Sequence, residues 1–209
     1  MSYFPMLLNI EYKTVVVVGG GHVARQKVEA LLPAKANVIV VSPTITAELL
    51  AYVECKEITW KQKKFEPADL DDAALVFAVT NNQEVNDAVE EATQHWQLLS
   101  RADAKGRVDF INPAVVRRGD FIVTVSTSGA SPSLTRQVKV QLAEQYGHFY
   151  EQYVAFLGQA RQRILATFDG DEKAQLLTQL LEPQLLEWVK EGRLDECEEW
   201  LQQRLGDSQ

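Results

Sequence analysis

The chain is poor in the residues that build disulfide frameworks and soft-metal sites, with two cysteines and three histidines in 209 residues. Cys55 and Cys197 lie far apart and in no metal-ligand spacing. That excludes a stapled secreted scaffold and reads as unpaired thiols in a reducing compartment. His22, His95 and His148 also stand at no ligand spacing, so no metal site is expected. No apolar run approaches the ~20 residues that cross a bilayer. The opening residues hold no basic stretch followed by a small-residue cleavage site, so no secretory signal is expected. Cations are outnumbered, 21 Lys and Arg against 29 Asp and Glu, for a net charge of −8. A nucleic-acid binder carries the opposite footprint. There is no internal repeat and no low-complexity tract. The exclusions leave a soluble cytoplasmic protein without membrane or nucleic-acid partners, and its 46 % hydrophobic content suffices for a real core.

What the chain does have begins at residues 15–24, VVVVGGGHVA. An unbroken β-branched run reads as a buried parallel strand, because helices cover both faces of such a sheet. Gly19, Gly21 and Ala24 form G-x-G-x-x-A, the alanine-ending variant of the dinucleotide fingerprint. Gly19 permits the tight turn out of the strand, Gly21 lets the backbone approach a pyrophosphate, and Ala24 lets the following helix pack closely. That helix, starting near His22, presents free N–H groups and a positive dipole end to phosphates. Its apolar stripe is Val23, Ala24, Val28, Leu31 and Leu32. Gly20 and the backbones of His22 and Val23 complete the expected phosphate loop, and the His22 imidazole is incidental to it.

Further strands are expected at residues 38–41, 57–61 and 74–79 and around Leu98 and Leu99, the last stopping at Arg101-Ala102-Asp103, with helices near 45–53 and 85–92. Strand and helix in alternation mean a doubly wound parallel sheet of Rossmann type, with ligands at the carboxyl ends of its strands. The residues falling at such ends are Gly19 to Gly21, then Ser42, Pro43 and Thr44, then Thr80, and lastly Asp103. Four loops therefore converge on one crevice.

Beyond Asp103 the pattern changes. Residues 110–116 and 121–126 read as two strands joined by Arg117-Arg118-Gly119-Asp120, a hairpin. Ser131 is a credible N-cap with Pro132 at the first helical position, opening a helix to about residue 146. A hairpin and one helix cannot bury their own faces, so they are expected to dock, either on the first domain or on a second copy. From Phe149 onward apolar residues keep helical spacing, interrupted near Asp169 to Asp171, and make a small bundle. The expected domains are residues 1–113 for nucleotide binding, 114–146 for dimerisation and 147–209 for a helical C-terminal domain.

Four segments together carry a more specific likeness: VVVVGGGHVARQKVEALL, VIVVSP, LVFAVTNNQEVN and FINPAVVRRGDFIVTVSTSGASPSLTRQV. Across residues 8–142 the chain resembles the precorrin-2 dehydrogenase family, the dehydrogenase and in some members ferrochelatase modules of sirohaem synthesis. The fourth segment discriminates most. The resemblance implies a Rossmann domain, a dimerisation region and a helical C-terminal domain. It implies oxidation of precorrin-2 to sirohydrochlorin with NAD as cofactor, in a homodimer. The family's catalytic aspartate precedes the phenylalanine of its F-I-x-P element by seven residues, which here selects Asp103 before Phe110. A carboxylate taking a proton as hydride departs is sound chemistry. Two departures stand out. The family's Asn-Val-Val-like run before that aspartate is Ser100-Arg101-Ala102 here, and Asp109 is a neighbouring carboxylate. The second strand ends in Ser42 where an NAD enzyme commonly offers Asp or Glu to the ribose. The backbones of Pro43 and Thr44 take that work in the family, and NADP stays open from the sequence alone.

An acidic enzyme acting on a polycarboxylate needs a local basic patch. Arg117, Arg118 and Arg136, with Lys139 beside them, are the candidates, since guanidinium forks suit carboxylates. For Arg117 and Arg118 a solvated hairpin turn is an equal alternative. Thr127 and Ser128, at the N-terminus of the following helix, are further candidates for substrate carboxylates. Two other functions compete. A bifunctional enzyme keeps this site and adds ferrochelatase activity. A non-catalytic NAD-sensing module needs no essential carboxylate and would carry a basic or partner-reading element.

Overall fold

The computed structural model describes residues 3–103 and 105–206. Its contacts divide the chain into two compact units, the first ending at Asn112 and the second beginning at Pro113.

The first unit is built on a parallel sheet whose central strand, β1, is Thr14–Val18. The others are β2 (Asn37–Val41), β3 (Thr59–Lys61), β4 (Leu75–Ala78) and β5 (Leu98–Arg101), in the order β3-β2-β1-β4-β5. Every neighbouring pair is parallel, with Val15 to Val18 opposite Val38 to Val41 on one side and Leu75 to Ala78 on the other. The chain order reverses between β1 and β4, the switch point at which such sheets open a crevice.

Four valines in a row are tolerated at the centre because the two faces of the sheet need them alternately. Val15 and Val17 pack with Ala24, Val28 and Leu31 of helix α1 (His22–Leu31) and Leu49 of α2 (Ala47–Glu54). Val16 and Val18 pack on the other face with Leu70, Leu99 and Val89 of α3 (Gln83–Ala92). Each fully buried valine contributes roughly 1.5–3 kcal/mol by leaving water. Thr46 caps α2 through the Leu49 amide, and Asn82 caps α3 through those of Glu84 and Val85. A β-region residue with a side-chain oxygen at this position satisfies otherwise orphaned amides.

The apolar run at 110–116 does not form one strand. Asp109 pairs with Leu99 through its backbone N–H (2.8 Å) and accepts the Leu99 amide on Oδ2 (2.8 Å). Phe110 then turns its ring edge-on to Phe77, 5.3 Å between centroids. Its hydrophobicity serves the core of the first unit, and regular structure resumes only after Pro113, which has no N–H to offer a ladder.

In the second unit β6 (Ala114–Arg118) and β7 (Phe121–Val125) form an antiparallel hairpin turning at Gly119, where φ is +57°. Helix α4 (Pro132–Gln145) starts at Ser131, whose side chain accepts the Leu134 amide, so the expected cap forms. Four helices follow: α5 (Phe149–Thr167), α6 (Gly170–Gln179), α7 (Pro183–Lys190) and α8 (Leu194–Gly206). Tyr153, Phe156, Ala160 and Ile164, at steps of three or four on α5, meet Leu176, Leu185, Val189, Cys197 and Leu201 in a second core. Among the described residues no helix is long and apolar enough to cross a membrane.

Candidate functional site

The sheet delivers its loops to one crevice of ≈ 770 Å³, lined by Gly19 to Gly21, Ser42 to Thr46, Lys64, Phe65, Val79 to Asn82, Glu84, Val85 and Ala88. Gly19, Gly20, Gly21, Ser42, Pro43, Thr44 and Thr80 are therefore brought together as their positions at strand ends imply. His22 and Val23 lie just past this lining, in the first turn of α1.

The three glycines answer three different constraints. Gly19 has φ +126°, and a Cβ there would stand 2.8 Å from the Val79 carbonyl oxygen, so the turn out of β1 is closed to other residues. A Cβ on Gly20 would lie 2.0 Å from the Thr44 carbonyl oxygen, because the glycine loop and the Ser42–Thr44 loop are pressed together. Gly20 accepts the Thr46 amide at 3.0 Å and Gly19 donates to Val41 at 3.0 Å, which locks that approach. A Cβ on Gly21 would meet nothing within 4 Å. That open space lies at the N-cap of α1, where no side chain accepts from the first-turn amides. The donors, their dipole and the vacant Cβ volume suit a pyrophosphate.

At the end of β2 the Ser42 hydroxyl donates to the Thr44 carbonyl at 2.7 Å, and the Ser42 carbonyl accepts from the Trp60 indole at 2.9 Å. Ser42 thus shapes its own loop instead of presenting a carboxylate to a ribose. Lys64 and Phe65 stand on the same wall.

Asp103 follows β5 and is 22 % exposed. Arg101, the last residue of that strand and only 2 % exposed, grips it with a two-pronged fork. Its Nε donates to Oδ1 at 3.0 Å and its Nη2 to Oδ2 at 2.8 Å. The same guanidinium pairs with Asp87 at 2.8 Å and with Glu90 of α3. Asn86 Nδ2 donates to Asp103 Oδ2 at 3.2 Å, and the Lys105 amide to Oδ1 at 3.3 Å. The Arg101 bonds hold the Asp103 carboxyl well below the usual carboxylate range; partial burial opposes them, and Asn86 and the Lys105 amide add to them. Asp109 is differently employed, fastened to the Leu99 amide and to Arg107 Nε at 2.9 Å.

Sequence reasoning passed over Arg101 and Asn86, although each left a signal. Arg101 is a charge ending a buried strand, and buried charges require partners. Asn86 sits three residues before Val89 on the apolar face of α3 and is 1 % exposed.

The basic candidates belong to the second unit. Arg118 donates to the carbonyls of Tyr146 (3.0 Å), Ala143 (3.1 Å) and Arg117 (2.9 Å), closing the C-terminal end of α4. Arg117 and Arg136 are exposed. Thr127 Oγ1 accepts the Ser131 amide at 3.0 Å and meets Thr135 Oγ1 at 3.2 Å, whereas Ser128 is exposed with φ +52°.

Over residues 6–114 the chain matches the family described as "Putative NAD(P)-binding". A precorrin-2 dehydrogenase of Priestia megaterium is 32% identical over 182 residues, covering 87% of this chain and 90% of that protein. A siroheme synthase of Nitrosospira multiformis is 32% identical over 211 residues, covering 98% of this chain and 45% of the relative. The chain thus spans less than half the length of that synthase. A solved structure described as SirC, precorrin-2 dehydrogenase, matches with a TM-score of 0.81 at 30% identity, covering 97% of this chain and 98% of the other. A glycine crevice at the switch point, a carboxylate gripped at the end of β5 and these likenesses along nearly its whole length lead to one assignment: the chain belongs to the precorrin-2 dehydrogenase family.

Proposed function

We propose that this chain oxidises precorrin-2 to sirohydrochlorin, with NAD as the acceptor, in sirohaem biosynthesis. The observation that carries the reading is the placement of an ionised carboxylate, Asp103, beside the strand whose end walls the nucleotide crevice. The oxidation removes two hydrogens from the substrate: one C–H bond breaks with its electron pair leaving as hydride, and a proton leaves separately. Bound NAD supplies the acceptor for the hydride. Gly19 to Gly21 and the first turn of α1 hold its pyrophosphate, while Ser42, Pro43, Thr44 and Thr80 line the rest of its cleft.

Asp103 receives the proton. A carboxylate held this far into its ionised form is a weak base, so it acts on a proton that grows acidic as the hydride leaves. Being 22 % exposed, it then releases that proton to water. The exposed Arg117 and Arg136 hold substrate carboxylates, joined by Thr127 and Ser128 at the start of α4, while Arg118 keeps its side of the hairpin in shape.

The active form is a homodimer built on α4 and the hairpin. No residue of α4 is buried within the chain, which supports a second copy as its cover. Anaerobic incubation with enzymatically made precorrin-2 and NAD, followed by absorbance, tests the activity. Conversion dependent on NAD supports it, and no conversion overturns it. Supplying sirohydrochlorin with ferrous iron as substrates in the same preparation separates a dehydrogenase from a bifunctional enzyme, the form that the likeness to siroheme synthases keeps in view.

A further inference from the structure

The Asn86 carboxamide makes four hydrogen bonds, and together they join two loops that the sheet alone leaves separate. Its Oδ1 accepts from the Thr80 hydroxyl at 2.8 Å and from the Thr80 amide at 3.3 Å. Its Nδ2 donates to the Thr80 carbonyl at 3.1 Å and to Asp103 Oδ2 at 3.2 Å. A carboxamide has two donor hydrogens and two acceptor lone pairs, so this one is fully used. Its orientation is also unambiguous, since an amide N–H and a carboxylate cannot exchange roles. Thr80 is a wall of the nucleotide crevice, and Asp103 is not among the residues that line it. One buried side chain therefore connects the place where the nucleotide rests to the carboxylate that takes the proton.

We propose that Asn86 is a positioning residue which couples occupancy of the nucleotide crevice to the orientation of Asp103, through Thr80. This rests on the reading of Asp103 as the proton acceptor. Arg101 fixes the carboxylate from the side of β5 and its acidic partners, and none of its side-chain hydrogen bonds goes to a residue lining the crevice. Asn86 holds the carboxylate from the side of Thr80. A small displacement of Thr80 by a bound nucleotide is transmitted across two hydrogen bonds, and the coupling is reciprocal. The geometry distinguishes this from a plain core asparagine, for which any polar partner would do.

The test begins without substrate. Carboxyl-carbon NMR of the full chain, with the Asp103 resonance assigned by its disappearance in Asp103→Asn, reads that group directly. Saturating NAD is expected to shift the Asp103 resonance in the unaltered chain, and an unmoved resonance overturns the proposal. Asn86→Ser is short enough to leave no donor within reach of Asp103. It is expected to lose the NAD-induced shift while binding NAD within about threefold of the unaltered chain by calorimetry. A shift that survives at full size in Asn86→Ser overturns the proposal. If Asn86→Ser does not fold, Asn86→Thr removes the same carboxamide, its hydroxyl being likewise too short to reach Asp103, and is read by the same resonance and the same two outcomes. With precorrin-2 supplied, Asn86→Ser is expected to lower kcat by up to about 10²-fold with little change in KM. The function fails separately: if the unaltered chain does not oxidise precorrin-2, that reading falls while the NMR result still decides the coupling.

Discussion

Arg101 meets Asp103 as a fork meets a carboxylate, Nε to Oδ1 at 3.0 Å and Nη2 to Oδ2 at 2.8 Å. Where the family has an Asn-Val-Val-like run, this chain has Ser100-Arg101-Ala102, and the arginine in that departure grips the aspartate. The pairing depresses the carboxyl below its unfolded value. Its stabilisation is present above the ordinary aspartate range of about 3.9 and fades as pH falls through the lower folded value. Between about pH 5 and 9 the group stays ionised, so kcat/KM is expected to show no acid limb from Asp103 in that window.

Arg101→Gln removes the charge and leaves Asp87, Glu90 and Asp103 to repel one another. The variant is expected to raise the Asp103 pKa toward or above its ordinary value, so an acid limb enters the pH–rate profile. Breaking a buried ion pair from one side costs about 3–5 kcal/mol, read by urea unfolding. An unchanged pH profile in a folded Arg101→Gln would show that the fork does not control Asp103.

Gly21→Asp and Gly20→Ala should fail differently. The space over Gly21 is open and its φ of −90° suits any residue, so the aspartate variant is expected to fold. Its carboxylate then stands where the pyrophosphate belongs, and NAD affinity is expected to fall by about 10²-fold or more in calorimetry. Gly20→Ala puts a methyl carbon into the Thr44 backbone and is expected to lower Tm and soluble yield instead. Unchanged NAD affinity in Gly21→Asp would remove the glycine loop from the site.

Much of this was legible because local pattern and global environment agree at Val15 to Val18 and at the three glycines. A β-branched run has few uses outside a buried strand, and Gly19 has no substitute at φ +126°. Phe110 was misread because apolar character does not say which body a side chain enters; the ring belongs to the core around Phe77, not to the hairpin. The reason for Gly20 was hidden because its neighbour, Thr44, comes from another loop. Asn86 and Arg101 escaped for the same cause. Asn86's partners, Thr80 and Asp103, lie 6 and 17 residues away. The acids that balance Arg101 beside Asp103 lie 11 and 14 residues back on α3, brought close only by the packing of that helix on the sheet.

Asp103→Ala is expected to bind NAD with near-unaltered affinity and to lose about 10²–10⁴-fold in precorrin-2 oxidation, the usual scale for removing a general base. Asp109 does not replace it, because both of its oxygens are committed to Leu99 and Arg107. Full activity in Asp103→Ala would remove the carboxylate from the mechanism.

Arg118 and Arg136 give opposite expectations. Arg118→Ala leaves the Tyr146 and Ala143 carbonyls without their donor, and is expected to cost about 1–3 kcal/mol of stability. Arg136 makes no hydrogen bond or ion pair among the described residues, so Arg136→Ala is expected to raise KM for precorrin-2 with Tm unchanged. A KM effect confined to Arg118→Ala would reverse the assignment.

The last expectation concerns the face that α4 turns outward. Leu134 is 49 % exposed and Val140 52 %, and no residue of this 14-residue helix is buried, although its neighbours in the hairpin are largely half-covered. Large apolar side chains left exposed on a helix with no buried residue mark an interface, and obligate interfaces resemble a core cut in two. A second copy is the economical cover, since a twofold axis lets one such face complete another. Sedimentation of the full chain at micromolar concentration is expected to give a dimer. The double variant L134E/V140E introduces a carboxylate on each chain at both positions and is expected to sediment as a folded monomer, with its circular dichroism retained. A stable monomer from the unaltered chain, or a dimer that survives both charges, would mean that this face is covered by something other than its twin.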